Sequence, residues 1–193
     1  DGFVFFVSGA LPGERIRGKV VEVGHRHGRA ELVSVEKTSS SRQEAPCSIA
    51  HLCGGCALQA FDYKAQLKWK KKRLEEALIR IGGLKNPLIR PVVGMTNPFG
   101  YRNKAQYPIA RGADGKATMG FYRRRSHQVI PAEDCLIQHP LIVEAAEKAC
   151  SLINELGLSI YDERTGTGFA RHFVVRVSVA REEIMAILVT NGH

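Results

Sequence analysis

The chain has 193 residues, 44% hydrophobic and 24% charged, a globular mixture long enough to bury a core, which excludes extended disorder and fibrous repeats. No apolar run approaches the ~20 residues that a membrane-spanning helix requires. Five cysteines, with no basic leader at Asp1-Gly2-Phe3, favour a reducing compartment and thiol or metal chemistry over a disulfide scaffold, so a cytoplasmic protein is expected. The net charge is +9 and unevenly placed: residues 1–140 carry 23 basic and 12 acidic side chains, residues 141–193 carry 5 and 7. A basic surface confined to one part of a chain suits a polyanionic partner such as nucleic acid, although a merely solvated basic surface has the same composition.

Residues 1–41 read as all-β, with β-branched-rich segments Phe3–Val7, Arg15–Val23 and Arg29–Lys37 broken by Pro12-Gly13 and Gly24–Gly28. In the second segment Ile16, Gly18, Val20 and Glu22 alternate with Arg17, Lys19, Val21 and Val23. Three short strands are too few to close a barrel, so a further strand is expected ahead of Asp1. Thr38 to Glu44 is a polar linker. A helix follows, capped by Asp62, with Tyr63, Leu67, Leu74, Leu78 and Ile81 at helical spacing and Gly82-Gly83 at its end. Its outward side carries Lys68, Lys70, Lys71, Lys72 and Arg73, with Trp69 among them.

Strands are expected near Leu88–Val93, Arg102–Ile109, Thr118–Arg123 and His127–Ile130, the middle two joined as a hairpin by Asp114-Gly115. A second helix should start at Pro140, a good first-turn residue, and run to about Leu156 before Gly157. His172–Val179 and Ile184–Thr190 read as a closing hairpin, after which Asn191-Gly192-His193 follow with no capping element. Gly166-Thr167-Gly168 is the one candidate for a cofactor loop, but no convincing strand precedes it and it reads as a plain connection.

The sharpest local signal is Cys47-x5-Cys53-Gly54-Gly55-Cys56. A Cys-x2-Cys pair sets two thiolates on one tight turn, and the glycines let backbone amides curl toward sulfur. Three clustered thiolates need a fourth for a closed site. Cys135, in a loop after a strand, suits that role better than Cys150, which falls inside the second helix beside Ala146 and Ile153 and reads as a core thiol. Structural zinc usually uses two Cys-x2-Cys knuckles, whereas a local triplet with a distant fourth is commoner for an iron–sulfur cluster; both metals stay open on spacing alone.

Taken in order, several segments resemble the RNA uracil-5-methyltransferase family, whose members carry an N-terminal TRAM domain and a [4Fe–4S] cluster. They are Gly9-Ala10-Leu11-Pro12-Gly13-Glu14, the Cys47–Gln59 cysteine pattern, Gly100-Tyr101-Arg102-Asn103-Lys104, Met119-Gly120-Phe121-Tyr122, Glu133-Asp134-Cys135 and Arg171-His172-Phe173-Val174-Val175-Arg176. The resemblance spans nearly the whole chain. It implies that Cys47, Cys53, Cys56 and Cys135 hold the cluster, with zinc as the alternative metal. It further implies an α+β fold: a small OB-like β-barrel, the TRAM domain, over residues 1–41 and lacking its first strand, then a mixed α/β iron–sulfur central domain over residues 42–193. The family's Rossmann-like S-adenosylmethionine domain has no counterpart here. The chain is therefore expected to be the RNA-recognition portion of such an enzyme, acting on ribosomal or transfer RNA as a monomer and non-catalytic by itself; a stand-alone RNA-binding module with structural zinc is the alternative.

Methylating uracil at C5 requires a nucleophile that adds to C6, a methyl donor and a base for the C5 proton. With four thiols assigned to a cluster and the fifth to the core, no catalytic residue is named in this sequence. For RNA contact, a strand over Arg102–Ile109 would set Arg102, Lys104 and Gln106 on one face and Asn103, Ala105 and Tyr107 on the other. Arg123, Arg124 and Arg125 follow the partner strand, so the hairpin should bring both basic clusters together. Tyr101, Tyr107, Phe121 and Tyr122 interleave with them as stacking candidates, and Lys70 and Lys71 add a second basic face.

Overall fold

The computed structural model describes residues 2–192; the expected further strand and the end residues Asp1 and His193 lie outside them. The chain divides into two compact units, one built from Asp1–Pro46 and Cys56–Met95, the other from Cys47–Gly55 and Thr96–His193.

The first unit contains a three-stranded sheet of β1 (Val4–Val7), β2 (Arg15–Val23) and β3 (His27–Lys37) in the order β1-β3-β2. β1 runs parallel to β3, and β2 runs antiparallel to it with three register shifts. The sheet is open: Val4, Phe6, Val20, Val23 and Val33 are all at least half exposed. What anchors it is polar. Glu14 has a fully buried side chain, which receives the Arg42 Nη2 donor at 2.7 Å and the Leu11 N–H at 2.8 Å.

α1 (Tyr63–Arg80) starts where the sequence places it: Asp62 Oδ1 accepts from the Ala65 N–H at 2.9 Å. It ends on a paired-carbonyl cap, with Gly82 N–H on Ala77 O, Leu84 N–H on Leu78 O, and Gly83 at φ +69°. Among its described residues none is fully buried, and of the stripe expected to pack as a core face Leu74 is 49% and Ile81 88% exposed. Leu67 and Tyr63 instead line the close approach of Gly94, and the Tyr63 hydroxyl accepts from the Met95 N–H at 2.8 Å. The strand expected at Leu88–Val93 does not form. Pro87 and Pro91 remove two donors and no neighbouring chain completes a ladder there, leaving Leu88 94% and Val93 95% exposed.

The second unit is a five-stranded antiparallel sheet covered on one face by a helix. The strands are β4 (Lys104–Arg111), β5 (Ala117–Tyr122), β6 (Val129–Pro131), β7 (Ala170–Ser178) and β8 (Glu183–Thr190), in the order β6-β5-β4-β7-β8. The Asp114-Gly115 turn joins β4 to β5 as expected, with Ile109 opposite Met119. α2 (Pro140–Glu155) begins at Pro140 behind His139, whose side chain accepts from Leu141 N–H. It presses Ile142, Ala146 and Ile153 onto Ala105, Tyr107, Ile109, Phe173, Val175 and Val177. Alternate residues of β4 and β7 thus form the core, and Lys104, Gln106, His172, Val174 and Arg176 occupy the opposite face. Cys150 packs against this core and donates its thiol to Ala117 O at 3.1 Å; burial, then the Glu133 charge, pushes its pKa up.

Candidate nucleic-acid interface

The basic residues singled out from the sequence occupy different settings. Lys104 is exposed on the face opposite α2, and its partner across the ladder is Arg176. Arg102 does not share that strand, contrary to expectation. Its backbone bridges to Gln138, donating to Ile137 O and accepting from His139 N–H, both at 2.9 Å, so it belongs to the segment that follows Cys135. Arg123, Arg124 and Arg125 are exposed in the turn after β5, at the same end of the hairpin as Lys104. That turn is closed by Arg123 N–H on Gln128 O and Ser126 N–H on Arg123 O, with Arg125 at φ +58°. Lys70 is exposed and Lys71 half-buried on α1, in the other unit, where the Arg73 guanidinium lies 5.9 Å from the Trp69 ring centre.

Of the aromatic candidates, Tyr107 is buried to 1% exposure and cannot meet a base; it packs against Phe121 in the core at 5.0 Å. Tyr101 and Tyr122 remain on the surface. The cation missed by the strand argument is Arg176. Its signal was the period-two alternation of His172, Val174 and Arg176, which puts the arginine on the polar face once β7 pairs with β4.

Each cysteine loop element has a defined hold. Residues 47–55 dock onto the end of β5, where Gly54 N–H donates to Tyr122 O at 3.0 Å and Cys53 bridges to Arg123. A Cβ at Gly54 would sit 2.7 Å from Tyr122 O, so glycine is required there. The Gly55 N–H points at Cys53 Sγ at 3.3 Å, and the Gln59 amide donates to Cys56 Sγ at the same distance. Cys135 lies in the electrostatic range of the buried Tyr107 hydroxyl, which has no hydrogen-bond partner among the described residues. Amide donors are thus aimed at two of the sulfurs, those of Cys53 and Cys56. Among the described residues, no group of three or more His, Cys, Asp or Glu side chains is gathered as a site for a single metal ion.

A groove of about 910 Å³ lies on the sheet face opposite α2. Pro108, Ala110, His172 and Val129 form its floor, and residues 159–168 form a wall. That wall is tied down by Tyr161 N–H on Ala170 O, Asp162 N–H on Thr167 O and Phe169 N–H on Ser159 O. Gly166-Thr167-Gly168 lies within this tied segment. Burial, reinforced by the Arg171 charge, holds the His172 imidazole below its usual pKa, so the ring is neutral at pH 7.

No family model matches the chain. It is 41% identical over 193 residues to a protein of Halalkalibacterium halodurans named an uncharacterized RNA methyltransferase. Proteins given the same name from Gloeobacter violaceus and Listeria monocytogenes are 37% and 38% identical over 193 and 190 residues. The alignments take in 98–100% of this chain but only 42% of each relative, so the chain spans less than half their length. Among solved structures, the fold matches the Pyrococcus abyssi tRNA (uracil-54, C5)-methyltransferase in complex with S-adenosyl-L-homocysteine. The TM-score is 0.72 at 26% identity, over 98% of this chain and 42% of that one. No helix among the described residues is long and apolar enough to cross a membrane.

Proposed function

We propose that the chain is the RNA-recognition portion of an S-adenosylmethionine-dependent RNA uracil-C5 methyltransferase, binding ribosomal or transfer RNA without itself transferring methyl groups. The observation that carries this reading is the likeness, along 98% of the chain, to a solved tRNA uracil-C5 methyltransferase. Residues 1–41 are then a TRAM domain and residues 42–193 the central domain. Cys47, Cys53, Cys56 and Cys135 are the ligands of a [4Fe–4S] cluster, which, with four protein thiolates, supplies a structural cross-link rather than an open reactive site. The nucleophile, base and methyl-donor site are assigned to the part of the relatives that this chain does not span, since Cys150, the fifth thiol, is held protonated in the core.

RNA contact is assigned to Arg102, Lys104, Arg123, Arg124 and Arg125, joined by Arg176, with Lys70 and Lys71 as a second basic face. Phosphate contacts release counterions, so affinity should fall with salt, with a slope of about 0.7 per phosphate contacted on a single strand. The test is RNA binding by the chain across a salt series. Arg102→Ala with Lys104→Ala should weaken binding and flatten the slope; unchanged affinity and slope would remove both residues from the interface.

A further inference from the structure

The groove opposite α2 brings together groups that neither the cysteine site nor the Lys104–Arg176 surface uses. The Tyr122 and His127 rings lie 5.3 Å apart and only 30° from coplanar, both at the surface. His127 Nδ1 is fixed by Glu163 Oε2 at 2.6 Å, which sets the plane of its ring. On the opposite wall the Arg171 guanidinium lies 4.8 Å from the Tyr161 ring centre. Asp162 is occupied by the Arg164 backbone N–H at 2.8 Å. Between the two planar pairs, His172 Nδ1 is buried and unpartnered among the described residues.

We propose that this groove seats one unpaired nucleobase of RNA, stacked against the Tyr122–His127 pair, with Arg171 beside the adjoining phosphate. Unpaired bases are held by aromatic and guanidinium planes, with their edges met by a few polar groups. Here the second Glu163 oxygen can accept from a base N–H, and the neutral His172 ring supplies a further unmet polar atom inside. The volume is within the range of sites that enclose a small ligand and leaves room for the sugar and phosphate. The wall does not have to form on binding, because its ladder to the start of β7 is already made. The proposal rests on the reading of this chain as an RNA-binding protein.

The probe is a short single-stranded oligouridine carrying one 5-iodouridine, photocrosslinked to the full chain and mapped by peptide mass spectrometry, with affinity measured by fluorescence anisotropy. Crosslinks should fall on Tyr122, His127 or Tyr161. Tyr122→Ser should weaken binding about tenfold, the loss expected for one stacked base, and Tyr122→Phe should restore it. The Gly54 hydrogen bond uses the Tyr122 carbonyl and survives either change. Salt-dependent binding with crosslinks outside the groove, or a folded Tyr122→Ser that binds as tightly as the parent, would overturn the base seat and leave the RNA reading standing. No binding of the oligonucleotide at any salt would overturn both.

Discussion

Glu14 is the most constrained ionisable residue of the first unit. Its side chain has no exposed surface, and its two oxygens receive Arg42 and the Leu11 and Ser39 N–H groups. The Arg42 hydrogen bonds outweigh the cost of burial and lower its pKa from 4.5 to about 2. A carboxylate with a depressed folded-state pKa contributes stability above its unfolded value and loses it as the pH falls through the folded one. The stabilisation should therefore be complete above about pH 4.5 and decline toward pH 2. Glu14→Gln keeps the shape but removes the charge, and should cost about 2 kcal/mol at neutral pH, the order of hydrogen bonds to a charged group. In a pH series of thermal melts the parent and variant should converge as pH approaches 2; a constant gap would mean that the ionised form is not what stabilises the fold. That the glutamate of Leu11-Pro12-Gly13-Glu14 is buried follows from Arg42 returning 28 residues later.

At the level of elements, the wall of the groove depends on one residue without a side chain. Gly168 has φ +102°, and a Cβ there would lie 2.2 Å from the Ile160 carbonyl oxygen. Gly168→Ala should cost about 3 kcal/mol, strain and clash together. Gly115, in the β4–β5 turn, also has positive φ (+82°) but open space around it, so Gly115→Ala should cost about 1 kcal/mol, strain alone. Equal shifts in the two melts would show that the close approach to Ile160 is not a constraint. Helix ends and the hairpin turn were legible because Asp62, Pro140, Gly83 and Gly115 each act through backbone geometry within a few residues. The Leu88–Val93 strand was not, because a strand is completed only by a neighbour, and its apolar pattern found none.

For the molecule as a whole, the proposed cysteine ligands would join a short loop to a residue some eighty positions later. A cluster across that distance would close a long loop and stabilise chiefly by restricting the unfolded chain. Anaerobic purification should yield about four irons and four sulfides with a broad absorbance near roughly 400 nm. Cys53→Ser should lose that absorbance and melt at lower temperature. A parent that holds one zinc and no sulfide would instead support a zinc-bearing RNA module.

The sequence by itself determined the elements and the pattern of chemistry: β-rich start, two capped helices, a hairpin at Asp114-Gly115, and a Cys-Gly-Gly-Cys turn whose amides reach sulfur. These are local, set by φ preferences, capping groups and side-chain period. Only the tertiary structure decided which side chains face outward and which groups meet. Tyr107 went to the core because Ile142 and Ala146 of α2 cover its side of the sheet. Arg102 left the basic strand face because its backbone pairs with Gln138 rather than with β7. Arg176 came to lie opposite Lys104, and Tyr122 opened onto the same groove as Arg171, through antiparallel registers joining segments about fifty to seventy residues apart. Such pairings depend on strand order, which side-chain periodicity within a segment does not encode.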